Sequence, residues 1–213
     1  MNQFDSKIFY ERSLPHYHPQ GATLFITFRL ANSLPQEVIN HLKREAWLKE
    51  RKLNKIVGET ERIPAKTNMQ KIMFGKWDQM LDQSDYGQNW LSNPKIAALV
   101  WEAITYRNNR EYILEACCLM PNHVHLVITT LESNENLSLV RILQSLKGYT
   151  ARKANEVLQR HGPFWQHESY DHVVRSVDEL ERVIYYVLTN PKKAGLESEY
   201  VYSRDVYRSI NDG

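Results

Sequence analysis

The chain has 213 residues, of which 42% are hydrophobic and 24% charged, and a net charge of +2. That length suits one domain that buries its core without staples, and so small a net charge gives by itself little support for a polyanionic partner. No apolar run approaches the ~20 residues of a membrane span, and the start "MNQFDSKIFYERS" lacks the apolar core of a secretion signal, so the expected setting is cytoplasmic with no membrane partner.

The first element is a strand over Ala22–Leu30, where β-branched and aromatic residues run up to Ser33 and Pro35. His16 and His18 precede it between Pro15 and Pro19 in an expected loop and receive no ligand role. A helix from about Pro35 to Leu53 follows. From Asn54 to Asn93 the breakers Gly58, Pro64, Gly75 and Gly87 interrupt any sustained period, which reads as an irregular insertion with one short helix near Trp77 to Leu81. Between His41 and Lys76 there are ten Lys or Arg against four Glu. This local excess is either a solvated surface or a nucleic-acid surface.

Pro94 at a first turn, with Ile96, Leu99, Val100, Ala103 and Ile104 at helical spacing, gives the next helix. "EYILEACCLMPNHVHLVITTL" reads as two strands joined at Met-Pro-Asn. Cys117 and Cys118 are adjacent on the first of them and point to opposite faces, which disfavours a disulfide between them. After the polar "ESNEN" loop, Ser138 caps a helix to about Leu158, and "FWQHESYDHVVR" supplies another strand. Ser176-Val-Asp-Glu179 is a capping box that starts a helix at Val177, and Asn190-Pro191 should end it. The order matches βαββαβ with an added terminal helix. The expected class is α+β, a ferredoxin-like antiparallel sheet with helices on one side and an insertion at about 54–93 after the first helix, all in one domain of residues 1–213.

Within the second strand of the hairpin, His123 and His125 share one face, about 7 Å apart at their bases. Two imidazoles so placed can hold one metal ion, or form a structural pair beside the turn. On the last helix Tyr186 and Asn190 are four residues apart and project from one face, whereas Tyr185 is rotated by roughly 100°. A phenol, an oxygen ligand and two imidazoles are the parts of a phosphoryl-transfer nuclease.

"CLMPNHVHLVI", "LKGYTARKAN", "GPFWQHESYDHVVR" and "YYVLTNPKKAGL", in this order, resemble the REP-associated tyrosine transposases within the single-tyrosine HUH transposase family. The likeness runs from the first strand to about Leu196, and "LDQSDYGQNWLSNPKIAALV" resembles a segment of longer members. The resemblance implies an HUH endonuclease fold in which His123 and His125 are metal ligands, Tyr186 is the nucleophile and Asn190 is the third ligand, at a position often held by Gln. It further implies a divalent cofactor, Mg²⁺ or Mn²⁺, and a prokaryotic, nucleoid-associated enzyme. Such an enzyme cleaves single-stranded or hairpin DNA through a 5′-phosphotyrosine intermediate, as a monomer or homodimer.

DNA contacts are expected of Lys43, Arg44 and Lys49 in the basic segment, and of Lys147, Arg152 and Lys153 on the helix after the histidine strand, with solvated helix faces as the alternative. His172, next to Asp171, either contacts DNA, orients the metal site or makes a structural hydrogen bond. Tyr149 and Tyr170 are read as packing residues, or as a phosphate contact and a base-stacking platform respectively. A competing function is a catalytically inactive, domesticated binding module for hairpin nucleic acid. A histidine-triad hydrolase fails because Val127 stands where that motif needs its nucleophilic His.

Overall fold

Apolar runs flanking Met120, Pro121 and Asn122, and the β-branched run after Gly21, become the central strands of a sheet, as their composition favours. In the computed structural model, which describes residues 21–83, 86–131, 138–197 and 199–210, these are β1 (Thr23–Leu30), β2 (Tyr112–Leu119) and β3 (His123–Thr130). The start 1–13, His16, His18 and the polar loop at 132–136 lie outside the described residues. With β4 (Trp165–Val173) and β5 (Val201–Ser203) the sheet runs β4-β1-β3-β2-β5, antiparallel throughout. Five helices are described: α1 (Gln36–Leu53), α2 (Glu59–Asp82), α3 (Pro94–Arg107), α4 (Leu139–Val157) and α5 (Val177–Lys193). None is long and apolar enough to cross a membrane. The described residues form two compact units, one of 21–31 with 88–210 and the other Asn32–Gly87.

In the first unit the pairing of β1 with β3 sets Leu24, Ile26 and Phe28 beside Ile128, Leu126 and Val124 on one face of the sheet. These side chains are fully buried, or nearly so, against Ile96, Val100 and Ile104 of α3 and Ile142, Leu143 and Leu146 of α4. Both helices start as their caps dictate: Asn93 accepts from the Lys95 amide and Ser138 from the Arg141 amide. The opposite face carries Phe25, Thr27, His125, Val127 and Cys118, and the added helix α5 packs there. Glu115 sits at a bulge in β2, where its carboxylate accepts from Thr129 Oγ1 at 2.7 Å and from Arg204 at 3.0 Å. The main chain of Arg204 also donates to the Glu115 carbonyl, which ties the short edge strand β5 to β2.

α5 continues through Pro191 to Lys193 instead of ending at Asn190. Proline has no amide to give the ladder, but near the carboxyl end of a helix this removes one bond only, and Pro191 is buried. Glu179 also departs from a simple capping box. Its amide donates to Ser176 Oγ, while its carboxylate accepts from the Arg175 amide at 2.9 Å and pairs with His172 Nε2 at 3.0 Å.

The second unit is a helical hairpin. Met69, Met73, Trp77 and Met80 recur at helical spacing along α2 and meet Val38, Leu42 and Ala46 of α1. Residues 59–82, expected to be irregular apart from a short helix near Trp77 to Leu81, are thus one helix, because that apolar stripe outweighs Gly75 and Pro64. The unit also takes in α1 and runs from Asn32 to Gly87. Its ends meet: a Cβ on Gly87, whose φ is +84°, would lie 2.0 Å from the Asn32 carbonyl oxygen.

Candidate active site

Tight reversal at Pro121-Asn122 starts β3 with His123, so alternation turns His123 and His125 to the face that α5 covers. Both imidazoles are fully buried. Burial pushes His123 down to about 3 and His125 well below its ordinary value, the latter also through its histidine neighbour, so both rings are neutral. Thr27, opposite His125 on β1, places Oγ1 2.7 Å from His125 Nδ1. Asn122 places Oδ1 2.6 Å from His123 Nδ1. An amide oxygen only accepts, so His123 carries its proton on Nδ1 and leaves a lone pair on Nε2.

Asn190, 1% exposed in the last turns of α5, donates from Nδ2 to His125 Nε2 at 2.7 Å. That nitrogen therefore also presents a lone pair, and its proton sits on Nδ1 toward Thr27. The two Nε2 atoms are 3.0 Å apart. Neutral imidazole is a good ligand for a divalent transition metal, and the two Nε2 atoms lie close enough for one ion to reach both once His125 gives up the Asn190 donation. The donor set fits such an ion. Nδ1 partners of this kind fix the tautomer and ring orientation of metal-binding histidines.

Tyr186 lies edge-on to His125, with ring centroids 5.5 Å apart, and its ring centroid is 6.0 Å from that of Phe25. Phe25 in turn stacks on His125 at 5.8 Å and meets the Tyr170 ring edge-on at 6.0 Å. Burial raises the Tyr170 phenol well above its usual range, so it is a neutral packing partner at this face. Tyr185 is exposed. His123, His125, Tyr186 and Asn190 thus come together within one chain, while His172 pairs with Glu179 at the other end of α5.

The basic residues separate by environment. Lys43 and Arg44 are exposed on α1, whereas Lys49 and Lys76 share Glu45 at 3.1 and 2.5 Å. Those two lysines hold the Glu45 carboxyl below its usual value. On α4 Arg152 is exposed and Lys153 pairs with Glu156 at 2.8 Å. Lys147 gives its ammonium to the carbonyls of Gln166 and His167 and to Ser169 Oγ, at 2.7, 2.9 and 3.1 Å. Burial lowers it to about 8. Exposed Tyr149 lies on the same helix.

Sequence reasoning does not single out Thr27, Asn122 or Phe25 as parts of the site. Asn122 has a signal in its place directly before the first histidine. Thr27 has none, because only the β1 to β3 register sets it opposite His125.

Sheet, paired histidines and tyrosine helix stand largely within the segment that a known family matches: the family model described as "Transposase IS200 like" matches residues 88–190, just under half of the chain. Within it the chain resembles the REP-associated tyrosine transposases. A Haemophilus influenzae protein described as a putative REP-associated tyrosine transposase is 28% identical over 109 residues, covering 45% of this chain and 61% of the relative, less than two thirds of its length. A solved structure of a REP-associated tyrosine transposase bound to a REP hairpin superposes with a TM-score of 0.50 at 15% identity, covering 93% of this chain and 87% of that one. At that identity the likeness speaks for the fold.

Proposed function

We propose that the protein is a metal-dependent endonuclease and strand transferase for single-stranded or hairpin DNA, with Tyr186 as nucleophile. The observation that carries this reading is the convergence of Tyr186 and Asn190, from one helix, on the buried His123 and His125 pair. A binding module has no physical need for that combination. His123 and His125, through Nε2, and the carboxamide of Asn190 would hold a divalent cation, Mg²⁺ or Mn²⁺, which supplies charge neutralisation at a scissile phosphate.

In the proposed reaction the Tyr186 phenol gives up its proton as its oxygen attacks phosphorus, the bond from phosphorus to the 3′ oxygen breaks, and that oxygen takes up a proton to leave as a free 3′-hydroxyl. The phosphoryl group remains on Tyr186 as a 5′-phosphotyrosine. Attack by another 3′-hydroxyl reverses the step and rejoins strands. Phe25 and His125 orient the phenol by edge contacts, while Thr27 and Asn122 hold the imidazoles in one tautomer.

All four residues belong to one chain, so this reading needs no partner subunit to complete the site, and it treats the helical hairpin as an insertion in one functional domain. Lys43 and Arg44 on α1 and Arg152 on α4 are exposed cations suited to backbone phosphates. Lys49, Lys153 and His172 each already hold an internal partner and are the weaker candidates.

The test incubates wild-type and Tyr186→Phe proteins with labelled single-stranded hairpin oligonucleotides in Mn²⁺ or Mg²⁺ and looks for a denaturation-resistant protein-DNA adduct. An adduct with wild type alone is expected. Hairpin binding without an adduct under either metal would overturn the reading in favour of an inactive binding module.

A further inference from the structure

Lys193 ends α5 with its ammonium 5.2 Å from the centroid of the Tyr186 ring and 5.8 Å from that of Tyr185. It is exposed and, among the described residues, joins no ion pair, although Lys49, Lys76 and Lys153 all find carboxylates. Placement on α5 explains the geometry. Residue 193 falls two turns after Tyr186, so its side chain lies along the same side of the helix, and the rings offer their electron-rich faces to the cation. The negative end of the helix dipole also favours a cation in this last turn.

Such a contact is weak at an exposed site, and a phosphate oxygen attracts an ammonium far more strongly than a phenol ring does. A phosphoryl group in bonding distance of the Tyr186 oxygen comes within the sweep of the four-carbon lysine stem. We propose that Lys193 is a catalytic residue that leaves the two tyrosine rings to bind a non-bridging oxygen of the scissile phosphate. Tyr185 acts as its parking platform. No covalent step is added: the ammonium fixes the phosphate for in-line attack and stays on it in the phosphotyrosine state. The inference rests on the Tyr186 nucleophile reading.

The experiment first uses wild-type protein with Mn²⁺ and hairpin oligonucleotides bearing single-stranded flanks to map the phosphate that becomes linked to protein. Binding to the mapped oligonucleotide is then measured in a Tyr186→Phe background, where no cleavage occurs, with Lys193 intact, Lys193→Ala or Lys193→Arg. A second oligonucleotide carries a neutral methylphosphonate at the mapped linkage. With the natural linkage, Lys193→Ala should weaken binding about tenfold and lower the salt slope by about 0.7, and Lys193→Arg should restore both. With the neutral linkage that difference should vanish. Equal affinity of the Ala variant and the parent for the natural linkage, or a penalty that persists on the neutral one, overturns the Lys193 assignment while leaving the nucleophile standing. Failure of the wild type to form any adduct overturns both.

Discussion

Asn190 and His125 are 65 positions apart in the chain, yet the Asn190 amide nitrogen lies 2.7 Å from His125 Nε2, and both side chains are buried. Helix α5 and strand β3 are thereby fastened at the point where two imidazoles converge. A buried carboxamide has to be hydrogen-bonded, so this contact also fixes the rotation of α5 and turns Tyr186, one helical turn earlier, toward the same histidine.

The residues behind the histidines should tune metal affinity without touching the metal. Thr27→Val removes the partner of His125 Nδ1, and Asn122→Ala that of His123 Nδ1. Each is expected to weaken Mn²⁺ binding about 10- to 100-fold, read by titration calorimetry on the folded protein. Unchanged affinity in both variants would separate these bonds from the metal site.

Removing the hydroxyl of Tyr185 should leave the chemistry in place. Its ring is exposed and lies roughly 100° around the helix from that of Tyr186. Tyr185→Phe is expected to form the covalent adduct at a rate within about threefold of wild type, since the ring face that holds Lys193 survives. Loss of the adduct in this variant would transfer the nucleophile's role.

Exposed cations on α1 should act through phosphate charge. Reversal of Lys43 and Arg44 to Glu is expected to reduce hairpin affinity and to flatten its salt dependence by about 0.9 for each duplex phosphate that is no longer neutralised. The corresponding change at Lys49, already held by Glu45, should do less. Filter binding over a salt series distinguishes the two, and identical slopes in all proteins would remove α1 from the DNA surface.

Lys147 gives a pH signature. Its folded value, lowered to about 8, lies below the 10.5 of an unburied lysine, so between these values the unfolded chain binds more protons than the folded one. Stability contributed at this position therefore rises with pH across that window. Relative to Lys147→Met, the wild type should gain stability from pH about 8 to about 10.5, as followed by urea unfolding at fixed pH values. A difference that stays flat over this range would contradict the burial of the ammonium.

Gly87→Ala should strain the junction of the helical hairpin. The added Cβ would meet the Asn32 carbonyl oxygen, and the backbone there is left-handed. A loss of about 1–3 kcal/mol is expected in thermal unfolding, with metal binding by the histidines retained.

The sequence by itself determined the elements whose signals are local. Apolar, β-branched runs and their turn residues placed β1 and the β2 to β3 hairpin, Pro94, Ser138 and Ser176 marked the starts of α3, α4 and α5, and the pattern His123, His125, Tyr186 and Asn190 was legible as a constellation because each pair lies on one strand or one helix. Tertiary structure decided what depends on register and packing. Whether residues 59–82 form a helix turned on a stripe that is apolar only from Met69 onward and needs α1 to cover it. That the Lys147 ammonium is engaged by β4 depends on the seating of α4, and the link of Thr27 to His125 depends on strands 98 residues apart pairing in one register. Caps and periodicity act within a few residues and can be read along the chain, while the partners of buried polar groups are chosen only when distant segments meet.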